Sequence, residues 1–173
     1  MITLRCTRRV LDNLKDPLTE RLVPPTAALG EWYVNLIPVE IGHVFIFVHS
    51  TTLLMVALPA EEIRSFMPAF PERVYHLLRR LGISMKVVKE ETRQMREAQI
   101  AKTASRSVLG SMNDIAFHVQ YWAEFDEYGR LINLDEMEMK LSGMPHKPLG
   151  YRMPEEAVKD LLHQHYRDAF SLE

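Results

Sequence analysis

Three apolar runs rich in β-branched and aromatic residues follow one another closely: "WYVNLIPV" from Trp32, "HVFIFVH" from His43 and "TLLMVAL" from Thr52, ending at Pro59. Gly42 punctuates the first junction, and Ser50 with Thr51 the second. The connections are too short for a crossover, so the runs must pair as an antiparallel meander. That constrains everything else, because the remaining chain has to cover the meander's apolar surface. Upstream, Ile2, Leu4 and Cys6 alternate with Thr3 and Arg5, which predicts a further half-buried strand over 2–6. Thr7 is placed to cap a short helix carrying Val10, Leu11 and Leu14, and the polar, proline-bearing segment 15–30 reads as loop.

Past Pro59 the pattern turns helical. "AEEIRSF" (60–66) predicts a short helix, and "PERVYHLLRRLG" (71–82) a longer one, with Pro71 in its first turn and Gly82 as its stop. Ser84 is placed to cap a third helix running through Val88, Thr92 and Met95. In a fourth, Val108, Met112, Ile115, Ala116, Val119, Trp122 and Ala123 recur at spacings of three and four. "DEYGR" (126–130) marks a turn. Met137, Met139 and Leu141 alternate with Glu138 and Lys140, which predicts a C-terminal strand with Glu136 and Glu138 on one face. A loop, "SGMPHKPLG", precedes a last helix over 154–168, with Glu155 and Glu156 near its positive end and Val158, Leu161 and Leu162 on its buried side. The expected class is α+β. One domain over 1–173 holds a mostly antiparallel sheet, the meander plus N- and C-terminal strands, with about five helices packed on a face.

Hydrophobic residues make up 47% and charged residues 25% of the 173, enough to build a core without metal or disulfides. A single cysteine, Cys6, leaves no internal disulfide and no cysteine zinc site, which favours the reducing cytoplasm. No apolar run has signal-peptide or membrane-spanning length. The formal net charge is −2, which argues against a surface devoted to nucleic acid. Charge is unevenly placed: balanced over 1–60, four net positive over 61–110 and six net negative over 111–173.

The basic part contains "KTASRSVLGSMND" (102–114), which crowds Lys102, Thr103, Ser105, Arg106, Ser107, Asn113 and Asp114 around a short apolar pair. Helical phase explains the crowding. At about 100° per residue, Met112 lies about 240° from Val88 and Ile115 about 180° from it, so the third and fourth apolar stripes face different ways. The break falls in "KTASRS", where Thr103, Ser105 and Ser107 are all able to cap a helix start. A helix first turn leaves unpaired amides and positive dipole, and with Lys102 and Arg106 beside it the corner suits a phosphate or carboxylate. Serine capping with Lys102 and Arg106 paired to acids of the C-terminal third is the plainer alternative.

Gly110, inside the fourth helix, costs roughly 1 kcal/mol against alanine, which predicts close approach of another backbone. Ser107, Ser111, Asp114 and His118 share one stripe of the same helix. Helix neighbours alone do not make an oriented triad, so this stripe is expected to face solvent. The seven glycines form no nucleotide-binding loop, HExxH and GxSxG are absent, and His163 and His165 point about 200° apart on a helix, so no cofactor and no metal is expected. On the first meander strand, Trp32 and Asn35 fall on opposite faces, one core and one exposed or hydrogen-bonded.

"MITLRCT", "LGEWYVNL", "FIFVHSTTLLMVAL", "KTASRSVLGSMND" and "MKLSGMPHKPLGY" together resemble a family of small bacterial proteins classed as a domain of unknown function, some of them associated with plasmids and mobile elements. The likeness runs over about residues 1–150. It implies that Trp32, Asn35, Lys102, Thr103, Arg106, Ser107, Asn113 and Asp114 belong to a shared pattern; it implies no reaction. His49 stands where relatives often carry Asn, and "EIGH" replaces a more basic turn. The function expected is a cytoplasmic interaction or regulatory module with an anion-contacting corner at 102–107. Its partner is a protein surface or a nucleic-acid backbone rather than a membrane, with a homodimer left open. The alternative is a phosphoester hydrolase or nuclease using Arg106, Lys102 and Asp114.

Overall fold

The meander forms as its short turns require. In the computed structural model, which describes residues 1–14, 17–60 and 66–170, β2 (Glu31–Pro38), β3 (His43–His49) and β4 (Met55–Pro59) pair antiparallel. The N-terminal strand β1 (Ile2–Cys6) is also present, and lies parallel to β2. On its other side it pairs, again parallel, with β5 (Ala98–Lys102), giving the order β4-β3-β2-β1-β5. The sheet is therefore mixed, not mostly antiparallel with a C-terminal strand. Long connections from β1 to β2 and from β4 to β5 permit the parallel pairings.

Six α-helices lie among the described residues. They are α1 (Arg8–Leu11), α2 (Ala69–Arg80), α3 (Met85–Gln94), α4 (Arg106–Trp122), α5 (Leu134–Ser142) and α6 (Pro154–Phe170). The helix expected over 60–66 falls largely on residues 61–65, outside the described residues. Gly82 ends α2 at φ +81°, a conformation that L side chains rarely adopt. Ser84 caps α3 by accepting from the Val87 amide, as predicted.

Residues 137–141 belong to α5 instead of a strand. Their alternation was ambiguous, and the charges decide against it: Asp135 and Glu136 sit in the first turn, Lys140 in the last, and Glu136 pairs with Lys140 at i,i+4 and 3.0 Å. Met137, Glu138 and Leu141 form the buried stripe.

Helices cover both sheet faces, not one. Against Leu4, Trp32, Val34 and Phe47 pack α1, α2, α3 and α6; against Tyr33, Ile46, Val48 and Met55 pack α4 and α5. Every residue of β3 after His43 is buried, the mark of a strand covered twice.

Two buried carboxylates lock the layers together. Glu91 of α3 accepts from the amides of Ala28 (3.1 Å) and Leu29 (2.6 Å) and from the Tyr166 hydroxyl of α6 (2.6 Å). Glu138 of α5 accepts from the Ala57 amide of β4 (3.0 Å) and from Arg73 and Arg80 of α2, each at 2.7 Å. On the far side of the sheet, residues 19–23 run along β5. The Thr19 amide donates to the Ile100 carbonyl, Thr19 Oγ1 accepts from the Ile100 amide, and the Val23 amide donates to Gln99 Oε1.

Candidate functional site

Strands β1 and β5 end side by side, with Cys6 opposite Lys102 in register, and then diverge. The chain leaving β1 enters α1 on one face of the sheet, while the chain leaving β5 enters α4 on the other. Divergence of this kind between parallel strands marks the carboxyl-end region in which open α/β sheets bind ligands. Lys102, Thr103, Ser105 and Arg106 all lie there.

Ser105 is the N-cap of α4, its Oγ accepting from the Val108 amide at 3.3 Å. The chain break predicted in "KTASRS" is thus present, with β5 intervening between α3 and α4. The Ser105 amide donates to the Tyr33 hydroxyl at 3.0 Å, which seats the helix start on the sheet. This leaves the amides of Arg106 and Ser107 as first-turn donors with no hydrogen-bond partner among the described residues.

The side chains of Lys102 and Arg106 are exposed, and neither has an ion-pair partner among the described residues. Arg5 adds a third cation below them, donating to the Lys102 carbonyl (3.2 Å) while Glu31 neutralises it at 2.7 Å. Cys6 contributes no thiolate here: it is buried, and burial pushes its thiol up to about 12.

Other predicted residues separate from this corner or take structural work. Trp32 is fully buried, its indole N–H donating to the Leu29 carbonyl at 2.6 Å, so it is a core residue and not a ligand contact. Asn35, on the opposite face as expected, lies on β2 just past the carboxyl end of β1. Its Oδ1 accepts from the Thr7 hydroxyl (3.0 Å) and the Leu36 amide (2.9 Å). Thr7 therefore ties strands together rather than capping α1. Asn113 is exposed on α4. Ser107 and Asp114 line a separate groove of about 620 Å³ that runs along α4, and neither Lys102 nor Arg106 is part of its lining.

That groove lies between the stripe Ser107, Ser111, Asp114, His118 and the segment 144–151, whose His146 is buried with Nε2 unpartnered among the described residues. Burial holds the His146 imidazole below its ordinary pKa, with the nearby Asp114 carboxylate acting in the opposite sense. The polar stripe thus borders a concavity instead of open solvent. Sequence reasoning missed His146 and Tyr33. "MPHKPLGY" had a visible signal in a histidine between two prolines, but nothing in it placed that histidine against α4. No group of three His, Cys, Asp or Glu side chains suited to a metal ion occurs among the described residues.

Gly110 does not receive another backbone. A Cβ built there meets nothing within 4 Å, and the residue lines the groove. Gly110→Ala is accordingly expected to raise stability by roughly 0.5–1 kcal/mol in urea denaturation. A loss of stability would show that the glycine has a conformational role in α4.

The fold defines the class first: a mixed five-stranded sheet between two helical layers, with no helix among the described residues long and apolar enough to cross a membrane. Residues 3–157 match the model of a family described as "domain of unknown function (DUF6933)", and the chain belongs to that family. No curated protein and no solved structure matches it.

Proposed function

We propose that this domain is an interaction or regulatory module whose corner at residues 102–107 contacts an anionic group of a partner, either the backbone of a nucleic acid or an acidic protein surface. The supporting observation is the pair Lys102 and Arg106, exposed and without acidic partners among the described residues, beside the first turn of α4. Exposed cations held next to helix-start amides attract anions by charge and by hydrogen bonding together. The phosphoester hydrolase reading has less support. It needs Lys102, Arg106 and Asp114 around one space, whereas Asp114 lines the groove further along α4.

Binding of a single-stranded oligonucleotide and of an acidic peptide, each measured across a salt series, tests the module. Affinity is expected to fall steeply with salt. For the oligonucleotide, Lys102→Ala and Arg106→Ala should each flatten the log–log slope by about 0.7. Slopes that ignore both substitutions would remove the corner from the interaction. Phosphoester turnover lost on Asp114→Ala and Arg106→Ala would favour the enzyme reading instead.

A further inference from the structure

We propose that the groove between α4 and the 144–151 segment is a binding site for a flat nitrogen heterocycle of nucleobase size. Its N–H edge would meet Asp114 and His146, and its faces Phe117 and Tyr151. The groove shares Ser107 with the corner at 102–107 but does not use that corner's cations.

The first observation is His146. Only 9% of it is exposed, and its backbone is fixed by its amide N–H donating to the Arg152 carbonyl (3.2 Å) and by its own carbonyl accepting from the Leu149 and Tyr151 amides, both at 3.0 Å. Its ring Nε2 is nevertheless buried without a hydrogen-bond partner among the described residues. Buried polar atoms are almost always satisfied, and leaving one unmade is costly; Nε2 is closed to solvent, so a ligand N–H satisfies it once the ring turns slightly towards the groove that His146 lines. Burial lowers its pKa and so favours the neutral imidazole, which has one donor and one acceptor nitrogen.

Asp114 is the second. It lines the same groove, exposed and with no ion pair or hydrogen bond among the described residues, and its carboxylate can only accept. A carboxylate at this position repels an anion and favours N–H donors.

Shape supplies the rest. Gly110 leaves the α4 wall flat where any other residue would project a side chain into open space. Phe117 on α4 is 64% exposed and Tyr151 on the opposing segment 69% exposed, and both line the groove. Tyr151 is held there at φ +64°, a left-handed conformation unfavourable for a bulky residue. Exposed aromatic rings on both walls suit a planar body, and about 620 Å³ falls within the roughly 300–1,000 Å³ usual for small-molecule sites. A bare metal ion does not fit, since no three-ligand group is present among the described residues.

Guanosine and adenosine, titrated into the full chain, serve as probes, with the His146 ring nitrogens and the Phe117 and Tyr151 ring protons followed by NMR. A saturable shift at all three residues is expected with at least one nucleoside. Caffeine, a flat purine without N–H donors, should bind at least about tenfold more weakly, as should either nucleoside to Asp114→Asn. Gly110→Leu, at an exposed helical position, should abolish the shifts while leaving the circular dichroism spectrum unchanged. The proposal is overturned if neither nucleoside gives a saturable shift, if caffeine binds as well, or if folded Gly110→Leu binds normally. Shifts confined to Lys102 and Arg106 would overturn it equally.

Discussion

Glu138→Ala is expected to cost about 3–5 kcal/mol in urea denaturation, because it removes the buried carboxylate on which two partly buried guanidinium groups and a strand amide converge. Arg73 and Arg80 both donate to this carboxylate, and both also pair with Asp135, whose exposed side chain is less able to hold them alone. Glu138 itself is fully buried and additionally accepts from the Ala57 amide. Removing it leaves the Ala57 amide without an acceptor and both arginines with Asp135 alone, whereas a surface ion pair such as Arg8 with Asp12 is worth little. Glu138→Gln keeps an acceptor for Ala57 but not the charge, so its cost should be smaller than that of alanine. A change under about 1 kcal/mol for Glu138→Ala would show that the network contributes geometry rather than stability.

The second large effect concerns acid. His49 is buried at the β3–β4 turn, with Nδ1 accepting from the Thr52 amide (3.2 Å) and lying 2.9 Å from the Thr52 hydroxyl. Burial lowers its pKa from 6.5 to about 3. A proton on Nδ1 would also face the Thr52 N–H. The unfolded chain therefore takes up a proton near pH 6.5 that the folded chain refuses until about pH 3. Stability contributed by neutral His49 is complete above pH 6.5 and is lost as pH falls towards 3, in total on the order of 4–5 kcal/mol. Denaturation of the wild type and of His49→Asn across this range checks it. The difference between the two should change by up to about 1.4 kcal/mol per pH unit, and parallel curves would sink the assignment.

Much of the fold was legible because local chemistry and global position agreed. The meander followed from turn spacing, α4 from its apolar period, and the break ahead of it from a phase mismatch that only a change of element could absorb. What was misread shares a cause: information carried by partners distant in the chain. "AQIAK" is five residues with charged flanks, and it is a strand because β1 offers it a parallel edge. "MEMKL" alternates well enough for a strand, yet Glu138 is buried only because α2 brings two arginines to it. The uninterrupted apolar run "VFIFV" reads as a buried strand, yet the expectation put helices on one face only; the absence of alternation is the mark of a strand covered twice. The corner at 102–107 was visible as composition at a helix start. The groove was not, because its second wall lies some thirty residues downstream, in a segment that reads as ordinary loop.

The two outer strands of the sheet have a consequence for assembly. Along β4 the outward Ala57 amide is taken by Glu138, and Pro59 has no amide to give; along β5 the outward groups of Ile100 are already bonded to Thr19. A visiting peptide or a second copy therefore meets, at each edge, a row of main-chain groups interrupted by these bonds. That interruption disfavours strand addition relative to contact through side chains and helix ends.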